Sequence, residues 1–94
     1  MRQHADEAIA VLKAIASPNR LLLLCHLLDG ERSVGELAAS LGLAQSATSQ
    51  HLSLLRRDGV VAARREGQSI RYSIRDERVR VLMGTLFELF CGRD

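Results

Sequence analysis

Apolar residues recur along this chain at helical spacing, interrupted once by a stretch of period two. Ala5, Ala8, Ile9, Leu12 and Ile15 stand three or four residues apart, the spacing of one helix face, and predict a first amphipathic helix ending near Ser17. Ser17-Pro18 reads as an N-cap followed by proline at the first helical position, where its missing N–H costs no bond. The stretch RLLLLCHLLDG is apolar on nearly every side, which predicts a second helix in the middle of the domain with Gly30 just past its end. Ser33-Val34-Gly35-Glu36 has the capping-box pattern, and Leu37, Ala38 and Leu41 give the short helix after it a buried stripe before Gly42 stops it. Only Gly42, Leu43 and Ala44 separate that helix from the next, QSATSQHLSLLRRDG, and two short helices so joined predict a helix-turn-helix.

After Gly59 the period drops to two. Ile70, Tyr72 and Ile74 alternate with Ser69, Arg71 and Ser73, and Glu66-Gly67-Gln68 lies midway as the turn of a β-hairpin with arginines on both strands. Asp76 is placed to cap a last helix, in which Val79, Leu82, Met83, Leu86, Leu89 and Phe90 form a stripe. That stripe and the first helix suggest packing against a second copy; Phe87 and Met83 are candidate contacts, with ordinary core the simpler assignment for Met83. The expected fold is mainly α with a β-hairpin wing: a winged helix-turn-helix of about five helices, one domain over residues 1–94, paired through its first and last helices.

Composition narrows the class. Apolar residues are 47% and charged residues 26% of the 94, a globular balance, and a domain of this size gains from pairing. No apolar run is long enough to span a bilayer, and the opening MRQHADEAIA lacks the apolar stretch of a signal peptide, so a cytoplasmic protein is expected. The net charge of +2 is unevenly spread: residues 46–80 hold eight arginines against four acids, whereas the segments on either side are each −1. A basic hairpin directly after a helix-turn-helix points to nucleic acid, with the wing arginines Arg64, Arg65 and Arg71 in reach of phosphates or the minor groove. On the preceding helix, Thr48, Leu52 and Leu55 share one face while Ser46, Ser49, Gln50 and Ser53 share another, with Arg56 and Arg57 at its far end. Short hydrogen-bonding side chains of this kind read base edges in the major groove, and arginines neutralise phosphates. Serine is a middling helix former, so a run of them fits a groove better than an ordinary solvent face.

The order of elements, and above all QSATSQHLSLLRRDGVV followed by RREGQ and Tyr72, resembles the ArsR/SmtB family of bacterial winged-helix repressors over almost the whole chain. The resemblance implies a homodimer that binds double-stranded operator DNA and releases it on sensing a ligand. It assigns Gln45, Ser46, Ser49, Gln50 and His51 to the recognition helix and Arg64 to Gln68 to the wing tip. For His51, on the border of the inward face, a hydrogen-bonded structural role stands beside a DNA contact.

Metal-sensing members carry cysteines on the first helix of the helix-turn-helix, where this chain has ELAAS, or His and acidic ligands on the terminal helix, where it has no histidine. His4, His26, His51 and two distant cysteines form no recognisable ligand set by spacing, so no metal and no cofactor is expected. Cys25 in LLCHL and Cys91 in FELFCGRD instead resemble the dithiol subgroup of the family, of the BigR/SqrR and HlyU types. That resemblance implies a redox switch: Cys25 and Cys91 reduced when the protein is on DNA, bridged by reactive sulfur species such as persulfides when it lets go.

From the residues alone the alternatives stay open. Cys25 shares a face with Leu21, Leu24 and Leu28, as a small buried hydrophobe would, and Cys91 sits at a helix C-terminus whose dipole opposes a thiolate, with Arg93 placed to offset part of that. The same fold also accommodates a peroxide-responsive regulator, an HlyU-like anti-silencing regulator, or a DNA binder whose cysteines only fill space. An enzyme is not expected: there is no Cys-x-x-Cys, and His26, adjacent to Cys25 on a helix, points elsewhere.

Overall fold

The computed structural model describes residues 2–91. Helix α1 (Arg2–Ile15) turns through 91° into α2 (Pro18–His26). There Ser17 accepts a bond from the Arg20 N–H at 3.4 Å and Pro18 stands in the first turn, as the sequence predicts. Strand β1 (Arg32–Ser33) leads directly into α3 (Val34–Leu41) through the complete capping box: the Glu36 N–H donates to Ser33 Oγ at 3.1 Å, and the Ser33 N–H donates to Glu36 Oε1 at 2.8 Å. Gly42, at φ +68°, ends α3 in the left-handed conformation that lets its N–H close back on the Ala38 and Ala39 carbonyls. Helix α4 (Gln45–Arg57), strands β2 (Val61–Glu66) and β3 (Ser69–Ile74) and helix α5 (Glu77–Phe90) complete the chain. Asp76 caps α5 by accepting the Arg78 N–H at 2.9 Å.

The hairpin is tighter than expected. Glu66 pairs with Ser69, so the turn is Gly67-Gln68 alone and Glu66 belongs to β2; Gly67 takes φ +63°, which a side chain would resist at the first position of a two-residue turn. The hairpin is also not alone. Strand β1 pairs antiparallel with β3, Arg32 opposite Tyr72 and Ser33 opposite Arg71, making a three-stranded sheet in the order β1-β3-β2.

The core forms where α2, α3, α4 and α5 meet the inner face of the sheet: Leu23, Leu24, Leu27, Leu37, Leu52, Leu55, Val61, Val79 and Met83 are essentially fully buried, with Tyr72 and Ile74 closing the sheet side. Met83 is thereby core rather than a surface contact. Thr48, the one buried polar side chain among the described residues, satisfies itself by donating to the Ala44 carbonyl at 3.0 Å. Helix α2 departs from expectation. It is central, yet Leu21 and Leu22 are exposed, Leu22 by 47%, because the other elements cover only one side of it. The end helices also leave apolar surface open: Ile9 and Leu12 on α1, and Val81, Phe87, Leu89 and Phe90 on α5. No single helix is long and apolar enough to cross a membrane.

Candidate nucleic-acid interface and thiol pair

Helix α4 is oriented by its apolar side. Thr48, Leu52 and Leu55 are buried at i, i+4 and i+7, which turns Gln45, Ser46, Gln50 and Ser53 outward into solvent, with Ser49 half-covered beside them. Ser49 and Gln45 line a shallow polar groove whose other wall is Gln68, Ser69 and Ile70 of the wing and whose floor is Ser33, Val34 and Gly35. Gln45 and Ser49 of α4 and Gln68 of the wing, from two separate stretches of sequence, therefore line one concavity. His51 is half-buried on the flank of α4, away from the outermost row.

The arginines divide into two groups. Arg56 and Arg57 are exposed at the far end of α4, Arg57 bonded to the neighbouring Asp58 at 3.3 Å, and Arg65 is exposed on β2. Among the described residues neither Arg56 nor Arg65 is ion-paired. Arg64 and Arg71, by contrast, are already engaged within the chain. Arg64 grips Glu31 with two N–H donors, Nε to Oε2 at 3.0 Å and Nη2 to Oε1 at 2.6 Å, and reaches Glu66 at 3.5 Å. Arg71, only 25% exposed, donates to the Glu31 carbonyl at 3.3 Å and to Glu36 Oε1 at 3.4 Å. The bond from Arg64 holds the Glu31 carboxyl below the ordinary carboxylate range, and the Ser33 N–H, reinforced by Arg71, does the same for Glu36. Sequence reasoning had both arginines facing DNA. It missed that Glu31 and Glu36 hold these arginines, because the paired residues lie 33 and 35 positions apart and the strand next to Glu31 is two residues long.

The two cysteines lie on α2 and at the end of α5, helices that pack against each other. Cys25, half-buried on α2, packs against the edge of the core, and Cys91 caps α5 from an exposed position, its N–H donating to the Phe87 carbonyl at 2.7 Å. Burial pushes the Cys25 thiol up from its ordinary value, and Cys91 is near enough that its charge pushes the same way. Both thiols are free. Arg93, expected to offset the helix dipole at Cys91, lies outside the described residues. Among the described residues no three His, Cys, Asp or Glu side chains gather as a metal site would require.

The sequence pattern described as "Bacterial regulatory protein, arsR family" matches residues 17–63, from the cap of α2 into β2. The chain belongs to the arsR family. Among its relatives is the transcriptional activator HlyU of Vibrio cholerae, 46% identical over 91 residues that span 97% of this chain and 84% of HlyU. The structure of reduced HlyU from that organism superposes with a TM-score of 0.94 at 46% identity, covering 97% of this chain and 96% of the other. The transcriptional repressor BigR from Xylella fastidiosa gives 0.89 at 38% identity over 97% and 93% of the two chains. The homodimeric winged helix-turn-helix DNA-binding domain of a possible arsR-family regulator from Mycobacterium bovis gives 0.81 at 34% identity over 94% and 82%. This arsR-family regulator is thus a winged helix whose likeness to those proteins runs through every element described above, the two terminal helices included.

Proposed function

We propose that the chain is a homodimeric transcriptional repressor that holds operator DNA through α4 and the wing and lets go when reactive sulfur bridges Cys25 to Cys91. It works beside the chromosome in the cytoplasm and carries out no catalysis. The observation that carries the switch is that α5, which ends at Cys91, packs against α2, which bears Cys25, so that two thiols far apart in sequence lie near one another. The open apolar faces of α1 and α5 supply the surface for a second copy, and the similar domain from Mycobacterium bovis is homodimeric.

The chemistry needs no metal or cofactor. Each thiolate attacks the outer sulfur of a persulfide RSSH, becoming a persulfide and releasing the thiol RSH. One of the two new persulfides then attacks the inner sulfur of the other and expels HS⁻, leaving a bridge of three sulfurs. A plain disulfide requires Cα atoms within roughly 4.4–6.8 Å, and an inserted sulfur widens that window, so thiols held slightly too far apart answer persulfide while resisting peroxide. The bridge ties α2 to the helix that carries the partner-facing surface. Two recognition helices in a dimer must stand about one DNA turn apart, roughly 34–36 Å, so a small shift of α5 lowers operator affinity; couplings of this type are typically about 1–3 kcal/mol.

The test is an operator-binding titration of the reduced protein before and after glutathione persulfide, and separately after hydrogen peroxide. Release by persulfide alone fits the proposal. Release by peroxide would make the chain a general oxidant sensor, and binding that neither reagent changes would leave Cys25 as packing, the role its contact with the core also permits.

A further inference from the structure

The wing carries three arginines in different electrostatic circumstances. Arg65 lies on the face it shares with its register partner Ile70, which lines the groove beside α4. Arg64 and Arg71 are register partners on the opposite face, so two cations stand directly across the hairpin, an arrangement that repels unless something neutralises it. Glu31 does so, occupying both arms of the Arg64 fork while its backbone carbonyl takes a donor from Arg71. A bidentate carboxylate offers a guanidinium the same geometry as a phosphate.

Resting on the proposed DNA-binding function, we infer that Glu31 is an affinity-setting residue: by holding Arg64 it withholds one cation from the DNA backbone and caps the sequence-independent part of binding. The carboxylate is not needed to place the wing. Backbone pairing does that, with Arg32 and Ser33 against Tyr72 and Arg71 on one side of β3 and six residue pairs with β2 on the other. Nor does Glu31 cap α3, since Ser33 and Glu36 complete that box between themselves. What remains for its side chain is to compete with phosphate for an arginine whose side chain is still 53% exposed. Its charge is secure at neutral pH, because Arg64 holds the carboxyl below its usual range.

The experiment is DNA binding by the full chain across a salt series, on operator and on an unrelated duplex, for wild type, E31Q, E66Q, R64A and E31Q/R64A. Glutamine keeps one hydrogen-bond acceptor for Arg64 but removes the charge and one of the two bonds that hold it. One added phosphate contact steepens the log–log salt dependence by about 0.9, so E31Q should bind both duplexes roughly fivefold more tightly at about 0.15 M salt. The two duplexes gain alike because phosphate contacts carry no sequence information. E66Q, which removes the longer 3.5 Å contact, should gain less, and the E31Q gain should shrink below about twofold when Arg64 is already alanine. Unchanged or weaker binding by E31Q, or an equal gain in the R64A background, overturns the inference. A wild type that binds no duplex would remove the DNA-binding function together with it, whereas tight wild-type binding with an unmoved E31Q removes the role of Glu31 alone.

Discussion

Arg64 and Arg71 stand opposite one another across the wing hairpin, Arg64 held by the Glu31 carboxylate and Arg71 by the Glu31 carbonyl and the Glu36 carboxylate, so two of the three wing arginines are bonded to the protein's own carboxylates. The positive field of the segment is therefore smaller at the wing than its residue count suggests, and the contacts to DNA sort unequally among its arginines.

Arg65 should behave as a simple phosphate contact. Arg65→Ala is expected to weaken operator and unrelated DNA alike and to flatten the salt dependence by about 0.9, with no change in melting temperature. Gln50→Ala, on the outer row of α4, should instead cost about 1–3 kcal/mol on the operator and little elsewhere. Fluorescence anisotropy on the two duplexes separates these outcomes; equal losses from Gln50→Ala would take it out of base recognition.

The leucines of α2 and α4 divide by burial. Leu52→Ala empties a fully buried position between α4 and its neighbours and should cost about 2–5 kcal/mol in urea unfolding. Leu22→Ala, at a position 47% exposed in one protomer, should cost well under half of that unless the second copy covers it.

Asp76 caps α5 and accepts Arg78 through both carboxylate oxygens, at 3.1 and 2.8 Å, which holds its carboxyl below the usual range. A depressed folded-state value means that the stabilisation is complete above the unfolded-state value, about 3.9, and disappears as pH falls through the folded one. Asp76→Asn retains a capping side chain but not the charge, so it should lower stability modestly at pH 7 and shrink the loss of stability on acidification below about pH 4. Thermal melts from pH 2 to pH 7 check this; parallel curves for the two proteins would show that Asp76 carries no such linkage.

Pairing rests on the open faces of the end helices. Leu12→Glu and Phe87→Glu each place a charge on surface that is exposed in one protomer, so the fold should persist by circular dichroism while gel filtration shifts to the monomer and operator affinity falls at least tenfold. Retention of the dimer by both variants would move the interface elsewhere.

The helix-turn-helix was legible because its determinants are local. Ser33 and Glu36 sit three residues apart, Gly42 stops α3 by itself, and the Thr48, Leu52, Leu55 face follows from helical spacing. Strand β1 was not legible, since two residues display no period, and with it went the position of Glu31. The exposure of Leu21 and Leu22 was hidden for a different reason: a helix apolar all round does not say which side its neighbours will cover. For the cysteines the chain's own pattern left packing and switching open. The packing of α5 against α2, which puts Cys91 near Cys25, needed the path of the whole fold.

The most direct test of the dithiol switch is the intact mass of the reduced protein after glutathione persulfide, with peptide mapping of any bridge and operator binding measured on the same sample. A bridge from Cys25 to Cys91 within one chain, carrying added sulfur and formed in step with DNA release, is the predicted result. Persulfides on Cys91 alone, or full DNA release by a protein with both cysteines replaced by serine, would contradict it.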